Sequence, residues 1–290
     1  MTISEKFSKF CDSIEMDKET ISTIQYRYHQ ITKRINKDYW FTESENYHSL
    51  YVGSYGRGTE INGSDIDMIV QLPYSEYQRF NNYSGNKQSA FLQDVKRTIE
   101  RTYSTSYIKG DGQIINLPFT DGINFEVLPA FENKDYSFTY ANSNGGGEWK
   151  ITNPRAEIKA INDMNVKCNY NLKRLCKMAR AWKQHNDVDI SGILIDVLAY
   201  NFLSNWKYKD KSFLYYDYMT RDFFDYVRKV DKAQYRWMVM GSGRYIYYYG
   251  KFQSKAEKAY NTALEAISYE GKQQEYSANL KWREIYGSKF

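Results

Sequence analysis

Apolar residues recur at Ile21, Ile24, Tyr28, Ile31 and Ile35, spaced 3, 4, 3 and 4. That spacing predicts a long amphipathic helix over residues 17–37, with Lys33, Arg34 and Lys37 off the stripe. A glycine-punctuated, strand-rich region follows, YVGSYGRG (51–58) and then SDIDMIVQLP (64–73). Residues 86–102 read as helix again, and 115–131 as two further strands around the turn Thr120–Asp121–Gly122. NSNGGG (142–147) is the clearest loop. Just beyond it, Thr152–Asn153–Pro154 sets a cap residue before a proline at the first helical position, a helix-start signal. From there the pattern is helical to the end, with no internal repeat. The division expected is therefore a mixed α/β half, 1–150, and a helical half, 151–290.

The 290 residues suffice for one large domain or two modest ones with a real core. Forty basic against 35 acidic residues leave +5, which excludes a polybasic field and makes no case by itself for nucleic acid. Hydrophobic content of 42% excludes low-complexity disorder. No run of 18 apolar residues exists and the first twenty positions lack an apolar h-region, so neither a membrane span nor a secretory signal is expected. Cys11, Cys168 and Cys176 are odd in number, lack CxxC spacing and read as buried thiols in a reducing cytoplasm. His29, His48 and His185 are too few and too scattered for a zinc site or a histidine-based triad. One residue in ten is tyrosine, 29 in all; most should pack between surface and core, leaving a few to stack on a ligand base.

Candidate chemistry starts at Asp65 and Asp67. In a strand, residues two apart share a face, so both carboxylates project one way and Ile66, Met68 and Val70 the other. Two such charges a few ångströms apart repel by roughly 4 kcal/mol at an effective dielectric near 20. A divalent cation neutralises them naturally, since Mg2+ takes carboxylate oxygens together with substrate phosphates. Alone, the pattern more often marks a strand whose exposed face happens to carry two acids. A third acid, Glu126, alternates with Ile123, Phe125 and Val127, and an acid so flanked is costly unless paired or metal-bound. Three carboxylates on two neighbouring strands could hold the two ions of a phosphoryl-transfer site; a solvated Glu126 is the plain alternative. Upstream, Gly53 permits close backbone approach to a phosphate and Ser54 adds a hydroxyl beside exposed N–H groups. Neither a P-loop nor a dinucleotide-binding glycine pattern is present.

Together GS(YGRGTEING)SDID and the strand acid of FEVLPAF resemble the nucleotidyltransferases of DNA polymerase β-like fold. More narrowly, the chain resembles the bacterial cyclic GMP–AMP synthase/DncV-like nucleotidyltransferases, the second-messenger synthetases of antiphage defence. The likeness covers residues 50 to about 205. It implies an α+β fold, bilobed: a nucleotidyltransferase core of mixed sheet and flanking helices, with an N-terminal spine helix, over 1–150, and an all-helical C-terminal lobe over 151–290. The third acid is usually Asp in that motif; Glu126 is one methylene longer, which bears on geometry more than on activity. In NLKRLCKMARAWKQ, Leu172, Leu175, Cys176, Ala179 and Trp182 form the apolar stripe and Lys173, Lys177, Arg180 and Gln184 another face. A solvated basic face explains that stripe by itself. The resemblance instead implies that Arg180, two before Trp182, supplies a cation to the donor triphosphate, with Lys177 one turn away. It also implies that Ser191 contributes a hydroxyl there, although Ser191 reads equally as an N-cap. The family's usual base-stacking Tyr after that Ser is here Gly192.

The implied reaction is nucleotidyl transfer with two Mg2+ or Mn2+ ions held by Asp65, Asp67 and Glu126. Nucleoside triphosphates would be the substrates, lying over Gly53–Ser54, and an acceptor ribose hydroxyl would attack the α-phosphorus. The product would be a cyclic di- or trinucleotide acting on a downstream effector. A nucleotidyltransferase modifying RNA or a protein, and an inactive nucleotide-binding regulator, are the rivals. The small net charge counts against an RNA substrate, and the absence of a His/Cys cluster against a DNA-activation module. A cytoplasmic monomer without membrane contact is expected.

Overall fold

In the computed structural model, which describes residues 1–104 and 107–290, local sequence signals place most element boundaries. The helices are α1 (Ile3–Ser13), α2 (Lys18–Ile35), α3 (Gly53–Arg57), α4 (Tyr74–Asn81), α5 (Lys87–Glu100) and α6 (Pro154–Lys167), then α7 (Asn171–His185), α8 (Gly192–Asn205), α9 (Tyr216–Arg228), α10 (Gln253–Gly271) and α11 (Glu275–Tyr286). The strands are β1 (Ser49–Tyr51), β2 (Ile66–Gln71), β3 (Lys109–Asp111), β4 (Ile114–Pro118) and β5 (Asn124–Glu132), then β6 (Phe138–Asn142), β7 (Glu148–Thr152), β8 (Arg236–Met238) and β9 (Tyr245–Tyr247). Capping fixes several starts. Asp17 accepts the Thr20 N–H at 2.8 Å ahead of α2, and Asn153 accepts the Ala156 N–H at 3.1 Å just before Pro154 opens α6.

The chain divides into two compact units. One holds residues 16–57 and 63–158; the other holds 1–15, 58–62 and 159–290. The division falls inside α6, between residues 158 and 159, and α1 belongs to the second unit.

In the first unit the sheet runs β1-β2-β5-β4-β3, with β6 pairing β5 and β7 extending from β6. Among the described residues only β2 and β5 pair in parallel; the remaining pairs in this sheet are antiparallel. Strand alternation buries Ile66, Met68 and Val70 with Phe125 and Val127 on one face, against Ile24 and Ile31 of α2 and Phe91 and Val95 of α5. The other face carries the small cluster Val52, Ile69, Ala130 and Phe138, beside polar positions. YVGSYGRG departs from a strand reading after Tyr51. Gly53 takes a left-handed φ of +59°, and the turn it starts becomes the short helix α3, with the Gly56 N–H donated to the Val52 carbonyl.

In the second unit α7 buries its stripe of Leu172, Leu175, Cys176, Ala179 and Trp182 in a core shared with Phe7, Leu198, Phe224 and Trp282. All three cysteines are buried free thiols. This half is not all helix: β8 and β9 form a two-stranded antiparallel ribbon. Its turn uses Gly241 and Gly243 at φ +76° and +67°, a conformation that larger side chains resist. No helix among the described residues is long and apolar enough to cross a membrane.

Phe91 is fully buried, with ring centroids 5.4, 5.0 and 5.8 Å from Phe80, Phe131 and Trp149. Phe91→Ala is expected to destabilise the first unit by about 3–5 kcal/mol, the usual cost of an aromatic-sized cavity. Urea unfolding followed by tryptophan fluorescence measures it.

Candidate active site

The β2–β5 register places Asp67 directly opposite Glu126, and the β4–β5 register places Asn116 on the other side of Glu126. Directly paired residues share a face, so Asp67, Glu126 and Asn116 form a polar row across three strands. Asn124, two before Glu126, is on that face as well. Asp65 sits one residue before β2 and is exposed, yet its carboxylate accepts the Asn124 side-chain N–H at 3.1 Å. That bond brings the outlying acid to the same face.

The row is electrostatically tense. Burial raises the Asp67 carboxyl above its ordinary range, partly offset by the hydrogen bond from Glu126, the Arg57 guanidinium and the Ser54 backbone N–H. Burial, followed by the charges of Asp67 and Asp65, pushes Glu126 up to about 7. Both carboxyls are thus pushed toward holding a proton, which can be shared in the hydrogen bond between them. Beside them the Oδ1 atoms of Asn116 and Asn124 are buried without a hydrogen-bond partner. Orphaned acceptors next to a carboxyl pair call for a cation or a donor that the protein itself does not supply.

Gly53 completes this corner. A Cβ there would lie 1.8 Å from Asp67 Oδ2, so only glycine lets the α3 turn close over the carboxylate. The adjoining Ser54 N–H then reaches Asp67. Sequence reasoning brought Gly53, Ser54, Asp65, Asp67 and Glu126 together, and they are together. It missed Asn116 and Asn124, whose signal was their alternation with buried Ile115, Leu117 and Phe125.

These residues fit a divalent ion of oxygen preference: carboxylates are the donors, and Mg2+ is commonly held by one or two of them plus substrate phosphates. Among the described residues no three His, Cys, Asp or Glu side chains already converge as a metal cage. The fit is that of the Asp67–Glu126 pair with Asp65 turned toward Asn124.

Arg180, Lys177 and Ser191 all lie in the second unit, and the first two correct the exposed-stripe expectation. Arg180 is only 6% exposed, and its guanidinium grips fully buried Asp196 at 2.6 and 3.0 Å, with a further bond to the Gly192 carbonyl. Lys177 is buried and pairs with Glu15 at 2.6 Å and Glu60 at 3.6 Å. The Arg180 donors are spent on buried Asp196 and the Gly192 carbonyl, and Lys177 is paired with exposed Glu15 and with Glu60, so neither stands on an open basic face. Ser191 is the N-cap of α8, accepting the Leu194 N–H. The overlooked signal was Asp196, a lone acid inside the apolar run GILIDVLAY, which demands a buried partner.

A match to the family described as Second Messenger Oligonucleotide or Dinucleotide Synthetase domain covers residues 1–165. The chain is 20% identical over 219 residues to a cyclic AMP-AMP-AMP synthase of Acinetobacter sp., covering 74% of this chain and 63% of that protein. It is 25% identical over 173 residues to a probable cyclic nucleotide synthase of Bacillus cereus, covering 57% of this chain and 51% of that one. The matches thus span less than two thirds of either relative. Escherichia coli MS115-1 CdnC solved with ATP shares the fold at a TM-score of 0.67 and 12% identity, over 99% of this chain and 98% of that one.

Two outcomes follow from these geometries. Unfolded, Glu126 titrates in the ordinary carboxylate range; folded, it holds its proton to about 7. Its contribution to stability is fully present below the ordinary range and is lost as pH rises through about 7. In chelator, the melting temperature should therefore fall between pH 5 and 7.5, and Glu126→Gln should flatten that decline. Arg180→Ala strands the buried Asp196 and is expected to cost about 3–5 kcal/mol, read from the urea midpoint.

Proposed function

The chain belongs to the Second Messenger Oligonucleotide or Dinucleotide Synthetase family, and from that premise we propose that it is a metal-dependent nucleotidyltransferase making a cyclic di- or trinucleotide from nucleoside triphosphates. The observation that carries this reading is the Asp67–Glu126 carboxyl pair, set by strand register beside Asp65 and beneath the Gly53 turn. The relatives' names, a cyclic AMP-AMP-AMP synthase and a probable cyclic nucleotide synthase, support the product class. ATP in the structurally similar CdnC supports a nucleoside triphosphate as substrate.

In this reading Asp65, Asp67 and Glu126 would hold two Mg2+ or Mn2+ ions, which when bound would supply positive charge against the phosphates. Asp67 is pre-positioned by the Ser54 N–H, and Glu126 by its place opposite Asp67. Glu126 must release its proton before it can bind a cation as a carboxylate. Gly53 lets the α3 turn close over Asp67, and Ser54 would supply a hydroxyl to the phosphates. An acceptor ribose hydroxyl attacks the α-phosphorus, the bond to the pyrophosphate oxygen breaks, and the hydroxyl proton leaves to solvent. A second transfer within the linear intermediate closes the ring. The messenger would then act on an effector in antiphage signalling.

Incubating the protein with labelled nucleoside triphosphates and Mg2+ or Mn2+, followed by phosphatase, tests the reading. Phosphatase-resistant small product is expected. Label on RNA or protein would establish the transferase rival instead, and no product a nucleotide-binding regulator. The double substitution Asp65→Asn, Asp67→Asn should lower product formation by roughly 10²- to 10³-fold or more, as loss of electrostatic stabilisation does. Its fold should persist, because removing like charges relieves repulsion. Undiminished synthesis by a folded double variant would refute the assignment.

A further inference from the structure

The two faces of the β8–β9 ribbon differ sharply. The cross-strand pair Trp237–Ile246 points inward onto the second unit's core. The pairs on either side, Arg236–Tyr247 and Met238–Tyr245, must then point outward, because strand side chains alternate. Outward positions of a half-buried ribbon are ordinarily polar. Here three of the four are tyrosine or methionine, and Tyr247 is 59% exposed. Tyr235 and Tyr249 extend the surface, the latter 76% exposed. A contiguous exposed patch of this kind marks an interaction surface.

These rings are ordered relative to one another. Tyr235 and Tyr249 lie within 7° of parallel at 5.5 Å, and Tyr235 and Tyr247 within 27° at 6.3 Å. Arg236 lies 3.5 Å over the face of Tyr245. Beside the ladder, a cleft of about 430 Å³ is lined in part by Lys232, Tyr235, Tyr249 and Lys251. Tyr248 is the exception, its hydroxyl bonded to Asp189.

Charge reinforces the pattern. Residues 232–251 contain Lys232, Arg236, Arg244 and Lys251, and no Asp or Glu. Four positive charges in this stretch stand against a net +5 for all 290 residues. Chain-wide arithmetic hides them, which is why composition argued against nucleic acid.

Cations alone would suit any polyanion. Cations interleaved with near-parallel rings suit one whose base faces are exposed, because each base stacks on a ring while its phosphate meets a Lys or Arg. A duplex buries its base faces. A lipid surface is best met by Trp, Phe and Leu that penetrate, not by a tyrosine ladder with its hydroxyls. We propose that the outer face of the β8–β9 ribbon binds single-stranded nucleic acid, with Tyr235, Tyr247 and Tyr249 stacking bases and Lys232, Arg236 and Lys251 meeting phosphates.

Fluorescence anisotropy of the full chain, with short labelled single strands of RNA and DNA and the matching duplex, tests this. Vesicles of phosphatidylserine and phosphatidylcholine run in parallel. Single strands should bind more tightly than duplex, with RNA and DNA distinguishing the source. Affinity should fall roughly 20- to 50-fold between about 50 and 200 mM salt, as three or four phosphate contacts require. The triple variant Tyr235→Ala, Tyr247→Ala, Tyr249→Ala should lose at least about 10-fold in affinity, the scale of one lost stacking contact, while keeping its melting temperature. Arg236→Gln should make the salt dependence shallower. Lack of single-strand binding at low salt, unchanged affinity in the folded triple variant, preference for duplex, or capture by vesicles alone would each overturn the proposal. None of these readouts depends on nucleotidyl transfer.

Discussion

Parallel pairing of β2 with β5 sets Asp67 directly opposite Glu126, and the polar face of the first unit is organised around the repulsion this creates. Like charges across a strand pair are destabilising, and burial adds a desolvation penalty. The fold meets that cost with a proton held on the pair, a backbone N–H from Ser54 and the nearby charge of Arg57. A face arranged only for stability would carry an apolar pair here, as the opposite face does with Met68 and Val127. The carboxyl pair instead leaves a repulsion on this face that the proposed cation would relieve. Gly53 belongs to the same constraint, because the turn that delivers Ser54 can close only where no Cβ stands against Asp67.

The second unit handles charge in the opposite manner. Arg180 and Asp196 are both removed from water and satisfy one another through two close contacts, with Thr59 adding a third to the carboxylate. Lys177 is held between Glu15 and Glu60. Lys6, buried at the start of the chain, reaches Glu270 at 2.8 Å. The Arg180–Asp196 pair, buried on both sides, contributes little net stability against an apolar replacement, but removing one partner strands the other charge and is costly. Charge in the first unit is left incompletely satisfied where chemistry is proposed, and charge in the second is closed off where helices must register.

How much of this was legible in the sequence depended on the range of the interaction concerned. The α2 stripe, the alternation of β2 and β5, and the Asn153–Pro154 start of α6 are local patterns and could be read residue by residue. The DID and FEV segments each announce an outward face, but it was the resemblance to a known family that joined them. What the sequence did not expose was the partner across space. The 3–4 spacing of Lys173, Lys177 and Arg180 defines a helix face but not what that face meets, so buried ion pairs looked like a solvated stripe. Asn116 became visible only when β4 was placed against β5, since no sequence rule gives that register.

The ribbon shows a different kind of concealment. Residues 235–249 lie in the half whose pattern reads as helical to its end, and their tyrosines gave no strand signal, because tyrosine tolerates core, surface and interface alike. The structure separates these roles by a period of two. Trp237 and Ile246 anchor the ribbon from within, while Tyr245 and Tyr247 on the same strand as Ile246 are left outside. Their exposure follows from the anchoring, because a strand cannot bury one face without presenting the other. The choice of aromatic residues for the presented face does not follow from it. Serine, threonine or lysine would satisfy the ribbon at less risk of aggregation. The rings stabilise the ribbon through their own stacking and through Arg236 over Tyr245, yet Tyr247 and Tyr249 stay more than half exposed, and that surplus exposure is what the proposed stacking partner would use.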